Sequence, residues 1–250
     1  MFGFAKPGNL PLTARRDGGN LRIAGREMPL AIVEHARAKR LTLRIEAGGR
    51  GIRVTVPPGI DRAEVDRFVA RHHGWLEGRI GKLPNQPALK PGIRVPLRGV
   101  PHRIVHLEGR RGVTRTGRDG GEPVLIVHGD IRHLGRRIAD YLKQQAKLEI
   151  EPLVARHAAT TGKRARSVRF KDTTSRWGSC SADGNLSFSW RIMMAPPAVI
   201  DYLVAHEVAH LSEMNHGPEF WELCGRLCAK TGECKAWLKR NGAKLQAIPF

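Results

Sequence analysis

No run in this 250-residue sequence is long and apolar enough to span a bilayer, although 41% of its residues are hydrophobic and can build real cores. The opening residues, Met1-Phe2-Gly3-Phe4-Ala5-Lys6-Pro7, lack the apolar stretch of a secretory signal. Cysteine is sparse: Cys180 stands alone, and Cys224, Cys228 and Cys234 cluster late. Four thiols so placed make no disulfide framework, so the expected setting is reducing and cytoplasmic. Cys224 and Cys228 are one helical turn apart, a spacing that suits metal, but small buried hydrophobes are the ordinary use of such pairs. Aromatic residues make up only 6% of the chain, which leaves little from which to build a base-stacking surface. Acidic residues are also few, 23 against 43 Lys and Arg, for a net charge of +20. The excess is concentrated in residues 1–150, with 29 basic and 14 acidic residues, against 14 and 9 in residues 151–250. Such a surface attracts nucleic acid, nucleotides or other polyanions, although scattered Arg-rich charge also describes an ordinary solvated exterior.

The chain has room for two domains. Residues 1–19, with Gly8, Pro11, Gly18 and Gly19 and no periodicity, predict a flexible N-terminus. Alternation over Leu21–Ile23, Leu30–Val33, Leu41–Ile45 and Ile52–Val56 predicts strands, with a turn at Gly48-Gly49. Asp61 opens a helix predicted to reach Ile80, with Val65, Phe68, Val69, Leu76 and Ile80 on its apolar side and Trp75 as a packing residue. A Pro-rich connector, Lys82–Pro91, leads to further strands at Ile93–Leu97, His102–Leu107, Gly112–Thr116 and Val124–Val127, with a turn at 117–121. Residues 20–128 thus predict a β-rich module with one helix.

Asp130 caps a long helix over 131–159 that is kinked at Pro152 and buries Leu134, Ile138, Tyr141, Leu142, Leu148 and Leu153. Strands are predicted at Ser167–Lys171 and Leu186–Ile192, separated by the turn-like run Ser175-Arg176-Trp177-Gly178-Ser179-Cys180-Ser181. Helices are predicted from Pro197, from Pro218 to Ala229 and over Lys235–Leu245. The fold class is α+β. Residues 130–250 combine a long support helix, a small sheet with an exposed edge predicted at Leu186–Ile192, and these later helices.

Within that second region lies His206-Glu207-Val208-Ala209-His210. Chance placement gives about 0.03 H-E-x-x-H matches in a chain of this composition. The preceding Val199–Ala205 is apolar at helical spacing, so His206 and His210 share one face a turn apart. Two such imidazoles can bind one Zn2+, with Glu207 beside any water on it. A third ligand must come from beyond the helix, because seven residues of helix rise about 10.5 Å and put Glu213 out of reach. Asn215-His216-Gly217-Pro218 supplies the stop, and Pro218 starts a new helix with Glu219 in its first turn. His216 at the reversal is the favoured third ligand, with Glu219 and Glu222 as carboxylate alternatives. Residues 130–250 thus suit a compact zincin-like catalytic core, in which the exposed strand edge can hold an extended peptide.

Arg176-Trp177-Gly178-Ser179-Cys180-Ser181, Asp201-Tyr202, His206–Leu211, Asn215-His216 and Phe220-Trp221 occur in an order that resembles the YgjP-like metallopeptidase family, over most of residues 20–245. His216-Gly217-Pro218-Glu219-Phe220 is also similar to SprT-like zinc proteases, which act on proteins attached to DNA, but only over the metal segment. The YgjP-like resemblance implies zinc held by His206, His210 and His216, with Glu207 catalytic. Gly217 departs from the Ser common in that family and touches no ligand position.

The chemistry expected is zinc-assisted hydrolysis of a peptide or protein substrate, with Glu207 as general base. Arg176 is the candidate for stabilising a developing oxyanion or a substrate anion, and Tyr202 is a weaker one. The alternative for the Arg176 segment is a structural turn in which Trp177 packs and Gly178 permits a special backbone angle. Asp201 or Glu213 is expected to orient a ligand imidazole. Two rival readings remain: a zinc-dependent nucleotide (phosphoanhydride) hydrolase, and a nucleic-acid-associated module whose metal is structural.

Overall fold

The structure, a computed structural model, describes residues 15–46, 49, 51–81, 89–109, 111–173 and 176–250. Residues 1–14 of the segment expected to be flexible lie outside that description, as do Gly48, Ser175 and most of the connector 82–91. Residues 15–19, expected within the flexible segment, belong to a strand. The chain forms two compact units, residues 1–84 and 85–250.

In the first unit, β1 (Arg15–Ile23) and β2 (Arg26–Glu34) form a hairpin. Its two turn residues, Ala24 and Gly25, both take positive φ (50° and 74°), the backbone whose twist matches paired strands. β3 (Thr42–Ile45) pairs antiparallel with β4 (Ile52–Val56), and β2 runs parallel to β4, giving the order β1-β2-β4-β3. Alternation along β4 buries Ile52, Val54 and Val56 and exposes Arg53. These residues pack on Val65 and Val69 of α1 (Arg62–Arg71) and on Leu76 and Ile80 of α2 (His73–Ile80).

The single helix predicted here is therefore two. His72 Nδ1–H donates to the Phe68 carbonyl at 2.8 Å, and the His72 amide turns to Val69 O instead, tightening the chain at that point. Trp75, expected to pack, is 46% exposed.

The second unit opens with β5 (Arg94–Leu97), β6 (Val100–Leu107), β7 (Arg115–Asp119) and β8 (Glu122–His128), in the order β5-β6-β8-β7 with β6 parallel to β8. The strand predicted at Gly112–Thr116 lies three residues later, because Gly120 and Gly121 make the turn, both with positive φ. Asp130 accepts the Arg132 amide at 2.8 Å and starts a short 3-10 turn, which leads into α3 (Leu134–Thr161); α3 ends at the left-handed Gly162. Leu134, Ile138, Leu142, Ala146, Ile150 and Val154 succeed one another every four residues and are buried. Leu148 falls between the members of that stripe and is 63% exposed, against expectation.

Val95, Leu97, Ile104, Leu125 and Val127 of the sheet share one core with α3 and with the helix bearing the motif. Strand content predicts a division near residue 129, but packing joins residues 94–128 to the helices C-terminal to them.

A three-stranded sheet comes next: β9 (Ser167–Lys171), β10 (Gly178–Cys180) and β11 (Asn185–Ser189), in the order β10-β11-β9. The edge predicted at Leu186–Ile192 is wrong. β11 is central, paired parallel to β9 and antiparallel to β10, and the short β10 is an edge. Leu186 and Phe188 are the buried partners that pull β11 into the middle.

A fully buried 3-10 turn, Trp190–Met194, leads to α4 (Pro197–Ala209), which is succeeded by α5 (Pro218–Leu227) and α6 (Thr231–Ala247). Within that turn, Arg191 pairs with Asp172 and donates to Ile248 O, tying the end of α6 to the turn before α4. Among the described residues no helix is long and apolar enough to cross a membrane.

Candidate active site

α4 starts on Pro197, with Pro196 as its cap, and is apolar on nearly every side, so it runs through the core rather than over it. Val199, Ile200, Tyr202, Leu203, Val204, Ala205, Val208 and Ala209 are all buried. This packing fixes where the last turn points. His206 and Glu207 lie on the helix and His210 is its C-cap. The amides of Leu211, Ser212 and Glu213 close turns back onto Val208 and Ala209, and the chain then reverses to Gly217, where α5 opens on Pro218 with Glu219 in its first turn. That reversal carries His216 back to the end of α4.

The three imidazoles converge. One ring nitrogen from each of His206, His210 and His216 lies within 4.8 Å of the others. Nε2 of His206 and Nε2 of His216 are 3.2 Å apart. Two lone pairs that close repel unless a proton or a cation lies between them. Nitrogens bound at 2.0–2.1 Å to one tetrahedral ion stand about 3.3 Å apart, so the spacing suits a shared zinc.

Protonation fits as well. Burial, together with the neighbouring histidines, lowers the pKa of His206 to about 4, and burial lowers that of His210. Both are then neutral donors at neutral pH. His210 Nδ1–H donates to the carbonyl of Glu213 at 2.9 Å, which fixes its tautomer and leaves Nε2 free. The residues present can therefore hold a metal ion. Among the described residues His206, His210 and His216 form the group of three or more His, Cys, Asp or Glu close enough to do so, and Glu219 and Glu222 are not part of it. Cys224, Cys228 and Cys234 are buried, free thiols in the core.

Glu207 is 4% exposed, and burial raises its pKa to about 8, with Arg176 pulling the other way. A carboxyl group titrating in that range can both take and return a proton near neutral pH. Its position is set by Gly178 on the edge strand β10. A Cβ there would come within 2.6 Å of Glu207 Cγ and Cδ. Gly178 is required for space, not for a special backbone angle, since its φ is not positive. Arg176 is exposed, and its carbonyl accepts from Thr173 Oγ1. Tyr202 is buried, its pKa pushed up to about 12 by desolvation, and its ring meets the edge of His206.

The partners expected for the imidazoles are placed differently. Asp201 accepts from His157 Nε2–H at 2.8 Å and pairs with Arg156, joining α4 to α3 and touching no ligand candidate. Glu213 contributes its backbone carbonyl, not its carboxylate. Sequence reasoning missed the rings around the triad. Phe220 meets all three imidazoles at 4.5–4.9 Å, and Trp221 stacks on His216 with centroids 5.6 Å apart. The available signal was Pro218 as first helical residue, which brings positions 220 and 221 back beside His216.

Comparison with known proteins identifies the family. No curated relative matches. Among solved structures, the crystal structure of the metallopeptidase zymogen of Pyrococcus abyssi abylysin matches at 22% identity and a TM-score of 0.34, over 40% of this chain and 99% of that one. That likeness is too slight to inform fold or mechanism. Residues 39–241 match the family described as YgjP-like, metallopeptidase domain. The chain belongs to the YgjP-like metallopeptidase family, which makes it a hydrolase and implies a metal cofactor and a peptide or protein substrate.

Proposed function

We propose that this protein is a zinc-dependent peptidase of zincin type, with His206, His210 and His216 as metal ligands and Glu207 as the general base. The observation that carries the reading is the meeting of three imidazole nitrogens within 4.8 Å at the end of a helix whose buried carboxyl group, Glu207, adjoins an edge strand. A bound zinc supplies Lewis acidity toward the scissile carbonyl and lowers the pKa of water. Glu207 takes the proton from the attacking water and returns it to the leaving amine. Gly178 leaves room for that carboxylate to stand against β10. Among the described residues β10 pairs with β11 alone, and its other edge offers main-chain groups along which an extended substrate can pair. Arg176, whose charge reaches Glu207, stabilises negative charge that develops on the substrate.

The test is an unbiased hydrolysis screen of zinc-loaded protein on denatured proteins, peptide libraries and nucleoside triphosphates, beside Glu207→Gln and a chelated sample. Peptide-bond cleavage is expected, falling about 10²–10⁴-fold in Glu207→Gln and disappearing on chelation. Equal cleavage by wild type and Glu207→Gln would refute the assigned base. Release of phosphate without peptide cleavage would favour the phosphoanhydride reading.

A further inference from the structure

The three imidazoles are not held in the same way. His210 is oriented by a hydrogen bond from Nδ1 to Glu213 O. His206 Nδ1 is buried and, among the described residues, has no hydrogen-bond partner. His216 is exposed, sits in a loop outside any helix or strand, and has no hydrogen bond from Nδ1 among the described residues. Among the described residues, no protein group therefore gives two of the three ligand candidates the second polar contact that usually fixes a metal-binding imidazole. Rings surround them instead. His206 meets Tyr202, Phe220 and Trp221, with the first two edge-on. His216 lies nearly parallel to Trp221, 24° between planes, with Phe220 edge-on at 4.7 Å. Trp221 is itself held from α6, where Lys235 Nζ lies 4.0 Å from its ring centroid.

We propose that Trp221 is a positioning residue for the metal site, setting the imidazole of His216 by stacking where His210 is set by a hydrogen bond, and that Lys235 steadies Trp221 in turn. The loop ligand loses the most freedom on binding, because no helix pre-orders it. A flat ring beneath it restricts its rotation before any ion arrives, so part of the ordering cost is met in the apoprotein. The stack and the cation over it also link α5 and α6 to a ligand set otherwise carried by α4 and the loop after it.

This inference rests on the triad being the metal site, and its test separates the two. Zinc affinity is measured by chelator competition for wild type, His216→Ala, Trp221→Ala, Trp221→Phe and Lys235→Met, with apoprotein melting as a fold control. The visible spectrum of the cobalt-loaded forms reports coordination. Trp221→Ala is expected to weaken zinc about 10–100-fold and to alter the cobalt spectrum, Trp221→Phe to recover most of both, and Lys235→Met to cost about threefold. If Trp221→Ala binds zinc as wild type does while His216→Ala does not, the positioning role is overturned and the triad stands. If His216→Ala also binds as wild type, the metal reading itself fails. If Trp221→Phe, folded as wild type is, still binds zinc as weakly as Trp221→Ala, a stacked ring does not set the affinity and the proposal fails.

Discussion

The two four-stranded sheets, β1–β4 and β5–β8, share strand order and sense of pairing: two antiparallel hairpins joined by a parallel pair in the middle. The helices that cover them differ. The first sheet is closed by two short helices over a core of Ile, Leu, Val and Met side chains. The second leads into the 28-residue α3, about 42 Å long. That helix is long enough to cover its own sheet and also to pack against α4 and the turn before it. All four buried polar or charged side chains among the described residues, His157, Ser189, Arg191 and Glu207, belong to the second unit. The same sheet architecture thus supports an all-apolar core in one place and a chemically loaded one in the other. Burying an ionisable group costs free energy unless it is paired: His157 and Arg191 are paired in structural ties, whereas Glu207 lies beside the three imidazoles.

Breaking the pairing of Arg191 sharpens that contrast most. Arg191→Ala empties a fully buried side-chain site and leaves the Leu245 and Ile248 carbonyls without this donor; a loss of about 3 kcal/mol is expected in the second unit. Thermal unfolding combined with limited proteolysis should show residues 85–250 destabilised while residues 15–81 keep their protection. Equal loss in both units would contradict separate cores.

Gly178→Ala should act on chemistry rather than on folding. The added methyl displaces the Glu207 carboxyl group, and an error of about 1 Å at a reacting group costs about 10²-fold in rate. Turnover should fall by that order while zinc content and melting temperature stay near wild type. An active Gly178→Ala would mean that the carboxylate does not need its place against β10. The smallest effect is expected at Leu148, where Leu148→Ser should shift stability by no more than about 0.5 kcal/mol. A loss of several kcal/mol there would show that this exposed face is covered.

Local patterns in the sequence carry much of this. Alternation locates most strands, the Asn215–Pro218 stop locates the reversal, and the spacing of His206 and His210 predicts a shared face. What they cannot carry is non-local. The parallel pairing of β2 with β4 and of β6 with β8 joins strands that are not consecutive, and no local period reports it. Arg191 reads as one position of an alternating strand until Asp172, nineteen residues earlier, is seen to reach it. Gly178 reads as a turn residue until the side chain over it is known. The break at His72 depends on one side chain outbidding the backbone for the Phe68 carbonyl. Leu148 reads as part of the apolar face on hydrophobicity alone, although the four-residue stripe passes it by.

The most direct test of the central claim is metal analysis of protein purified without added metal or chelator. The account predicts one zinc per chain in wild type and in Glu207→Gln, and a marked loss in His206→Ala, His210→Ala and His216→Ala. A wild-type protein without stoichiometric transition metal, or a His216→Ala protein that holds as much as wild type, would contradict it.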